Sequence, residues 1–387
     1  QRPVDVERLV ELSREPLDWA QFLRLVSRHR VAPLVWRSLR SVAADFTPDA
    51  VQAELGRWVE RNALNALRQT AELAKLVRRF EAAGIRLLPL KGPVLAVQVY
   101  GELSLRHAGH DLDLLVDPDS VWNAARLLKE LGYVRTSPDY ALSPGQAAAF
   151  MKLRKDCSYR YPGSSVQVEL HWRWSQNAGL LPLELEEFWS ERDFVRFGGI
   201  AVPGLPQQEL LLYLCAHGAH TGWFRLKWLC DIAELLGEEP AIDLSAVVAE
   251  ARELGVSRML AQALHLSHRV LGSPLSDGLS SELCQDRVVQ DLVEMGVQAL
   301  GMDERNWGTE ELSASWMLEQ LRYRLKLRRN LRYKWHNAYF YSLWTEDCSR
   351  IRLPKGLFPL YFVVAPLLWM VSALRKFLPP SRSHGKP

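Results

Sequence analysis

The chain has 387 residues, 48% of them hydrophobic, which is enough for a sizeable core and for two or three domains rather than one. Its 48 basic and 45 acidic residues nearly cancel to a formal charge of +3, which excludes a general nucleic-acid signature and leaves only local basic patches. Five scattered cysteines without a C-x-x-C exclude a disulfide framework and point to free, mostly buried thiols in a reducing compartment. The first residues are polar and amphipathic, unlike a signal peptide, so the expected compartment is the cytoplasm.

Residues 5–80 read as helices. "DVERLVELSR", "DWAQFLRLVSRH" and "VAPLVWRSLRS" repeat apolar residues at three- and four-residue spacing. "NALNALRQTAELAKLVRRFEAAG" (62–84) predicts a long amphipathic helix stopped by Gly84. "IRLLPL" (85–90) then predicts a strand, and Pro89 assigns it to a short or edge position. A helix opens at Pro93, "HDLDLLVD" (110–117) is a second strand, and 118–133 is a helix capped by Asp119 or Ser120. "KDCSYRYPG" and "SSVQVELHWRW" form a hairpin, as does "DFVRFGGIAVPG" (193–204). From 207 onward the pattern is helical again, ending in one long basic segment, 315–340. The fold class is α+β: a small mixed-sheet core (71–204) between an N-terminal helical segment (1–70) and a C-terminal helical domain (205–340). An apolar and basic tail (341–387) follows.

The chemistry concentrates in "GHDLDLLVDPDS". Strand side chains alternate, so Asp111 and Asp113 share a face roughly 6.5 Å apart, while Leu112, Leu114 and Val116 point into a core. Two ionised carboxylates side by side repel unless water or a cation lies between them. A hard divalent ion is held by such groups together with substrate phosphates, and a pair of ions can clamp a phosphoryl transfer. The bland alternative is an exposed edge strand. Two features weigh against it. In "VQVELHW" (166–172), Glu169 supplies a third carboxylate on a polar face shared with Gln167 and His171. In "PLKGP", Gly92 permits close approach of an anion before a helix N-terminus. Lys91 there, and Arg106 further on, can neutralise phosphate.

At these residues the sequence resembles the DNA polymerase beta-like nucleotidyltransferase superfamily. Within it, the resemblance is to the bacterial branch known as the uncharacterised nucleotidyltransferase family. "LLPLKGPVLAVQVYG", "LRHAGHDLDLLVD", "VELHWRW" and "LLYLCAHGAHTGWFRLKWLCDIAELL" carry it, from about 85 to 236. The resemblance implies Asp111 and Asp113 as a metal-binding pair and Glu169 as the third acid. It also implies Mg²⁺ or Mn²⁺ as cofactor, an NTP, usually ATP, as substrate, and transfer of a nucleoside monophosphate with release of pyrophosphate. The superfamily's usual Gly-Ser is replaced here by Lys91-Gly92, with Lys91 standing in for the serine contact. The expected acceptor is a hydroxyl or other group on a small molecule, peptide or protein. Nucleic acid is not an expected partner. The alternative is a catalytically degenerate module that binds nucleotide or a partner; a third reading is a helical adaptor docked on a membrane.

"LCAHGAHTGWFRLKWLCD" gathers His217, His220, Trp223 and Lys227. No established zinc-ligand spacing is present. Packed, hydrogen-bonded histidines are one reading. In the other the segment walls the active site, with His220, Trp223 and Lys227 reaching base or phosphate. Trp172 and Trp174 could stack on a base, although buried tryptophan is commoner. "RYRLKLRRNLRYKWH" (322–336) interleaves basic and aromatic residues, and is either a solvated face or a surface for RNA or an anionic layer. "LFPLYFVVAPLLWMVSALRKFL" (357–378) barely reaches spanning length. Packing on the protein, peripheral membrane contact and a true span all stay open for it.

Overall fold

Helical periodicity at the two ends and alternation in the middle resolve into α-helices around a sheet in the computed structural model. It describes residues 3–341 apart from 43, 143, 191–192, 238–241, 284 and 303–313, and residues 360 and 364. The N-terminal helices are α1 (Pro3–Arg14), α2 (Trp19–His29), α3 (Ala32–Val42) and α4 (Asp49–Ala82). The middle holds β1 (Leu87–Pro89), α5 (Pro93–Tyr100), β2 (Asp111–Val116), α6 (Val121–Glu130), β3 (Val134–Ser137), α7 (Pro144–Leu153), β4 (Asp156–Arg160) and β5 (Gln167–His171). It closes with α8 (Leu185–Ser190), β6 (Asp193–Phe197) and β7 (Ile200–Gly204). The C-terminal helices are α9 (Gln207–Thr221), α10 (Leu226–Leu235), α11 (Leu244–Glu253), α12 (Ser257–Leu271), α13 (Asp277–Leu283), α14 (Arg287–Gly301), α15 (Ala314–Lys326) and α16 (Leu331–Tyr341).

Five strands form one mixed sheet in the order β1-β2-β5-β4-β3. Only β2 and β5 run parallel. β1 is an edge strand, as Pro89 requires, since proline cannot donate to a ladder. β6 and β7 pair as a separate antiparallel hairpin. Leu112, Leu114, Val116, Val168 and Leu170 project from one face onto Leu73, Leu76 and Phe80 of α4 and Val121, Ala124 and Leu128 of α6. Each fully buried leucine there contributes about 1.5–3 kcal/mol relative to exposure. Leu88 and Leu115 project from the other face into a larger core made with α9, α10 and α12. The sheet is therefore covered on both sides, and the face that carries Asp113 is roofed at its Leu115 end. This is an α+β fold with helical flanks.

Three sequence expectations change. The helix placed at 62–84 begins at Asp49 and runs unbroken through residue 71. Its stop is as expected: Gly84 has φ +66°. Ser120 makes no side-chain cap for α6, because a 3₁₀ turn, Pro118–Ser120, leads the chain into the helix instead. The single helix expected over 315–340 is two. Leu327 and Arg328 turn inward, and the Arg328 guanidinium donates to the carbonyls of Leu254, Gly255 and Gly179. Asn330 then caps α16 by accepting from the N–H groups of Arg332 and Tyr333 at 2.8 and 3.3 Å.

Cys157, Cys215 and Cys230 are free and buried, matching the expectation for these three. The apolar stretch 357–378 lies outside the described residues, apart from the isolated positions 360 and 364. No described helix is long and apolar enough to cross a membrane.

Candidate active site

Parallel pairing sets Asp113 opposite Glu169 and Asp111 opposite Gln167. Because neighbours in register project to the same face, Asp113 and Glu169 become adjacent carboxylates. His171 lies two residues beyond Glu169, on the same face and almost wholly buried. Its Nε2 is 3.1 Å from Asp113 Oδ1 and 3.5 Å from Glu169 Oε2. On its far side Nδ1 is 3.4 Å from Lys155 Nζ, and Lys155 also pairs with Asp156 at 3.0 Å.

Lys91 Nζ lies 3.5 Å from Asp113 Oδ2. Burial alone would raise the Asp113 carboxyl, but the Lys91 ammonium and the His171 imidazole hold it well below its usual value. The opposite applies to Asp111, which is exposed. Partial desolvation and the negative charges of Glu169 and Asp113 push its carboxyl up. Burial and Lys155 push His171 down, but its bonds to Asp113 and Glu169 prevail and leave it raised. The three acids are therefore unequal: Asp113 is the buried centre, Glu169 its partner and Asp111 the solvent-side group.

The loop that delivers Lys91 is fixed by backbone geometry. The Leu90 N–H donates to the Asp113 carbonyl at 3.0 Å, tying the loop to β2. Gly92 then adopts φ 69°, ψ −135°, a conformation essentially confined to glycine, and Pro93 starts α5. Lys91 Nζ also lies 5.9 Å from the centroid of the Tyr213 ring on α9, within cation–π reach.

Two buried amides on α4 position the chain that leads into β2. Asn62 Nδ2 donates to the carbonyls of Ser104 and Arg106 at 2.9 and 3.1 Å, and its Oδ1 accepts from the Ala108 N–H at 2.8 Å. Gln69 Nε2 donates to the carbonyls of Gly109 and Asp111 at 3.2 and 3.1 Å. The expectation that Arg106 contacts phosphate meets a different geometry. Its Nε and Nη2 each reach Asp231 of α10 at 2.9 Å, and Tyr100 Oη donates to the same carboxylate at 2.9 Å. Arg106 is buried and committed to a bidentate pair, so it fastens the loop before β2 to the helical domain.

The aromatic and basic residues of α9, α10 and the turn between them, and the two tryptophans after β5, separate by position. Trp223 is fully buried, packed on Gly218, with φ 58°, so it is a core residue rather than a base-stacking one. Trp172 is likewise buried and donates from Nε1 to the Met151 carbonyl at 3.0 Å. Trp174 is half-buried against Phe188 and Tyr213 and donates to the Leu183 carbonyl at 2.8 Å. His217 stacks on Tyr213, with ring centroids 6.3 Å apart. Burial, with Arg324, Lys155 and Lys91 nearby, takes His220 down to about 3, so it offers a hydrogen bond and no charge at neutral pH. Lys227 sits in concentrated positive charge: burial, then Arg106 and Arg30, hold its ammonium well below the usual range. His107 is pushed to about 3 by burial and by Lys227, Arg30 and Arg106.

Asp113, Glu169 and His171 bring ligand atoms within 4.8 Å of one another, the one such group among the described residues. Two carboxylates suit Mg²⁺, and the imidazole makes the set suitable for Mn²⁺ as well. The donor chemistry thus fits a divalent ion, with His171 joining Asp113 and Glu169, while Asp111, expected as half of the metal-binding pair, is not in the group. Strand alternation had already put His171 on the Glu169 face, but it could not show the parallel pairing that brings Asp113 alongside. The His217–His220 segment holds no comparable group among the described residues.

A family model described as an uncharacterised nucleotidyltransferase matches residues 15–272, extending past the quoted motifs to take in α2 at one end and α12 at the other. Comparison with curated proteins and with solved structures returns no match.

Proposed function

The chain belongs to the uncharacterised nucleotidyltransferase family, and from that premise we propose that it moves a nucleoside monophosphate from an NTP to a small-molecule or peptide/protein acceptor, releasing pyrophosphate. One observation carries this reading: Lys91, delivered by the Gly92 turn, and the Glu169–His171 strand converge on the carboxylate of Asp113. A pair of acids flanked by an ammonium is an arrangement for phosphate and its counter-ion, not for a solvated strand edge.

In this reading Asp113, Glu169 and Asp111 hold Mg²⁺ or Mn²⁺, which supplies charge neutralisation for the phosphate oxygens. Lys91 moves from Asp113 to the phosphates of the NTP, ATP being the expected one, which enter against the Gly92 backbone and the start of α5. Lys227 on α10, whose ammonium is held below the usual range by burial and by Arg106 and Arg30, takes up charge as the anion arrives. His220 donates or accepts a hydrogen bond in neutral form. Glu169 takes the proton from the acceptor hydroxyl. His171 orients Asp113 and Glu169 and adds a nitrogen donor. Arg106 holds the loop through Asp231 and touches no substrate.

Purified protein with Mn²⁺ or Mg²⁺ and α-labelled NTPs tests the proposal. NTP binding, label transfer or pyrophosphate release is expected, and Asp113→Asn abolishes turnover. A protein that neither binds nor consumes any NTP with either ion overturns it, as does unchanged turnover in Asp113→Asn.

A further inference from the structure

α16 presents two different sides. Tyr333 is buried and bonded into the body through its Oη to the Arg324 carbonyl at 3.1 Å, while Asn177 donates to its own carbonyl at 3.4 Å. On the opposite side Leu331 and Trp335 are 79% and 76% exposed, and Ala338 continues the strip at i, i+4, i+7 spacing. These are large apolar side chains held outward by a helix whose inner side is anchored, so they are not free to fold back. Arg332 within α16 is exposed as well, and Arg329, just before the helix, is exposed with its guanidinium donating to Asp286. In sequence, α16 is followed by the apolar stretch 357–378 with Lys355 before it and Arg375 and Lys376 after it.

We propose that α16 is a docking surface for an anionic lipid bilayer. Tryptophan and leucine on one side of a helix, with arginine at the margins, match the polarity gradient of a membrane interface: apolar groups enter the acyl boundary and guanidinium groups meet lipid phosphates. An RNA partner would use the arginines and could stack on Trp335, but it gives Leu331 no burial. The apolar stretch that follows α16 favours the same occupant, because one weak interfacial element rarely anchors a protein and a second signal in sequence makes binding stable. Docking is independent of nucleotidyl transfer, and Asp113→Asn leaves it unchanged.

Flotation of the full chain with vesicles of phosphatidylcholine plus phosphatidylglycerol, and of phosphatidylcholine alone, tests this. The expected result is binding to the anionic vesicles that weakens steeply with added salt and falls about tenfold or more in the Leu331→Ser/Trp335→Ser variant. Arg332→Glu, at an exposed position, weakens binding as well and keeps the proposal testable should the double variant not fold. The proposal is overturned by absence of flotation, or by variants that float as well as the parent. Binding to single-stranded RNA without preference for anionic vesicles also overturns it.

Discussion

Asp231 has no exposed surface and accepts three hydrogen bonds, two from Arg106 and one from Tyr100, all at 2.9 Å. Asp231→Ala leaves the Arg106 guanidinium buried without a counter-charge and the Tyr100 hydroxyl without an acceptor. Breaking a buried pair from one side costs about 3–5 kcal/mol, most of it the stranded charge rather than the lost attraction. Equilibrium urea unfolding reads this directly, with the slope checked for constancy so that the midpoint shift reports stability. The same reasoning makes the double replacement Arg106→Met/Asp231→Leu much milder than either single change, because no charge is left behind. It also separates the two roles available to Arg106. If the arginine only positions the loop, the double variant keeps ATP binding while Asp231→Ala loses stability. If the arginine contacts phosphate, the double variant loses ATP binding while remaining folded. A cost below about 1 kcal/mol for Asp231→Ala, or a double variant equal to the sum of its singles, would refute the argument.

Asn62→Ala removes three bonds to the loop before β2 and is expected to cost about 2–4 kcal/mol in the same unfolding experiment. Gly218→Ala drives a methyl into the buried Trp223 ring and is expected to cost about 2–3 kcal/mol, lowering the thermal midpoint. Asp286 is held at about 2, below its usual 3.8, by hydrogen bonds from Arg258 and Arg329 that prevail over desolvation. Its folded value lies below its unfolded one, so its stabilisation is complete above pH 3.8 and is lost as pH falls through 2. The stability difference between the parent and Asp286→Asn, about 1 kcal/mol after solvent screening, therefore closes over that window. Asp111→Asn is expected to raise the thermal midpoint of the metal-free protein, since repulsion from Glu169 and Asp113 disappears, while abolishing or crippling transfer.

The parts legible in the sequence are those written in local pattern. Alternation through "DLDLLV" and "VQVELHW" placed the acids on one face and Leu112, Leu114, Val116, Val168 and Leu170 on the other, and that division holds. Pro89 marked an edge strand and Gly84 a helix stop, because each acts through its own backbone. What escaped depends on partners far along the chain. Nothing near Arg106 announces Asp231, 125 residues away. Asn62 and Gln69 look like surface positions of an amphipathic helix until a loop 40 or more residues later covers them. The break between α15 and α16 also has a distant cause, since Arg328 is drawn to carbonyls at 179, 254 and 255.

The same distinction explains why His171 was seen and not used. Its side of the strand follows from a period of two, which is local. Its chemistry follows from which strand lies alongside and in which direction, which is not. Had β5 paired antiparallel to β2, the run of partners would have reversed, and Asp113, Glu169 and His171 could not all have kept their present neighbours. The parallel pairing places Asp113 opposite Glu169 and Leu115 opposite His171. The imidazole can then lean back over both acids while Leu115 seals the far end against α9. Burial of that end strengthens the electrostatic interactions around Asp113, and exposure of the other end leaves Asp111 open to solvent. The polarity of the site, closed at Leu115 and open at Asp111, thus comes from one strand direction. It leaves the Asp111 end as the solvent-facing side of the three acids.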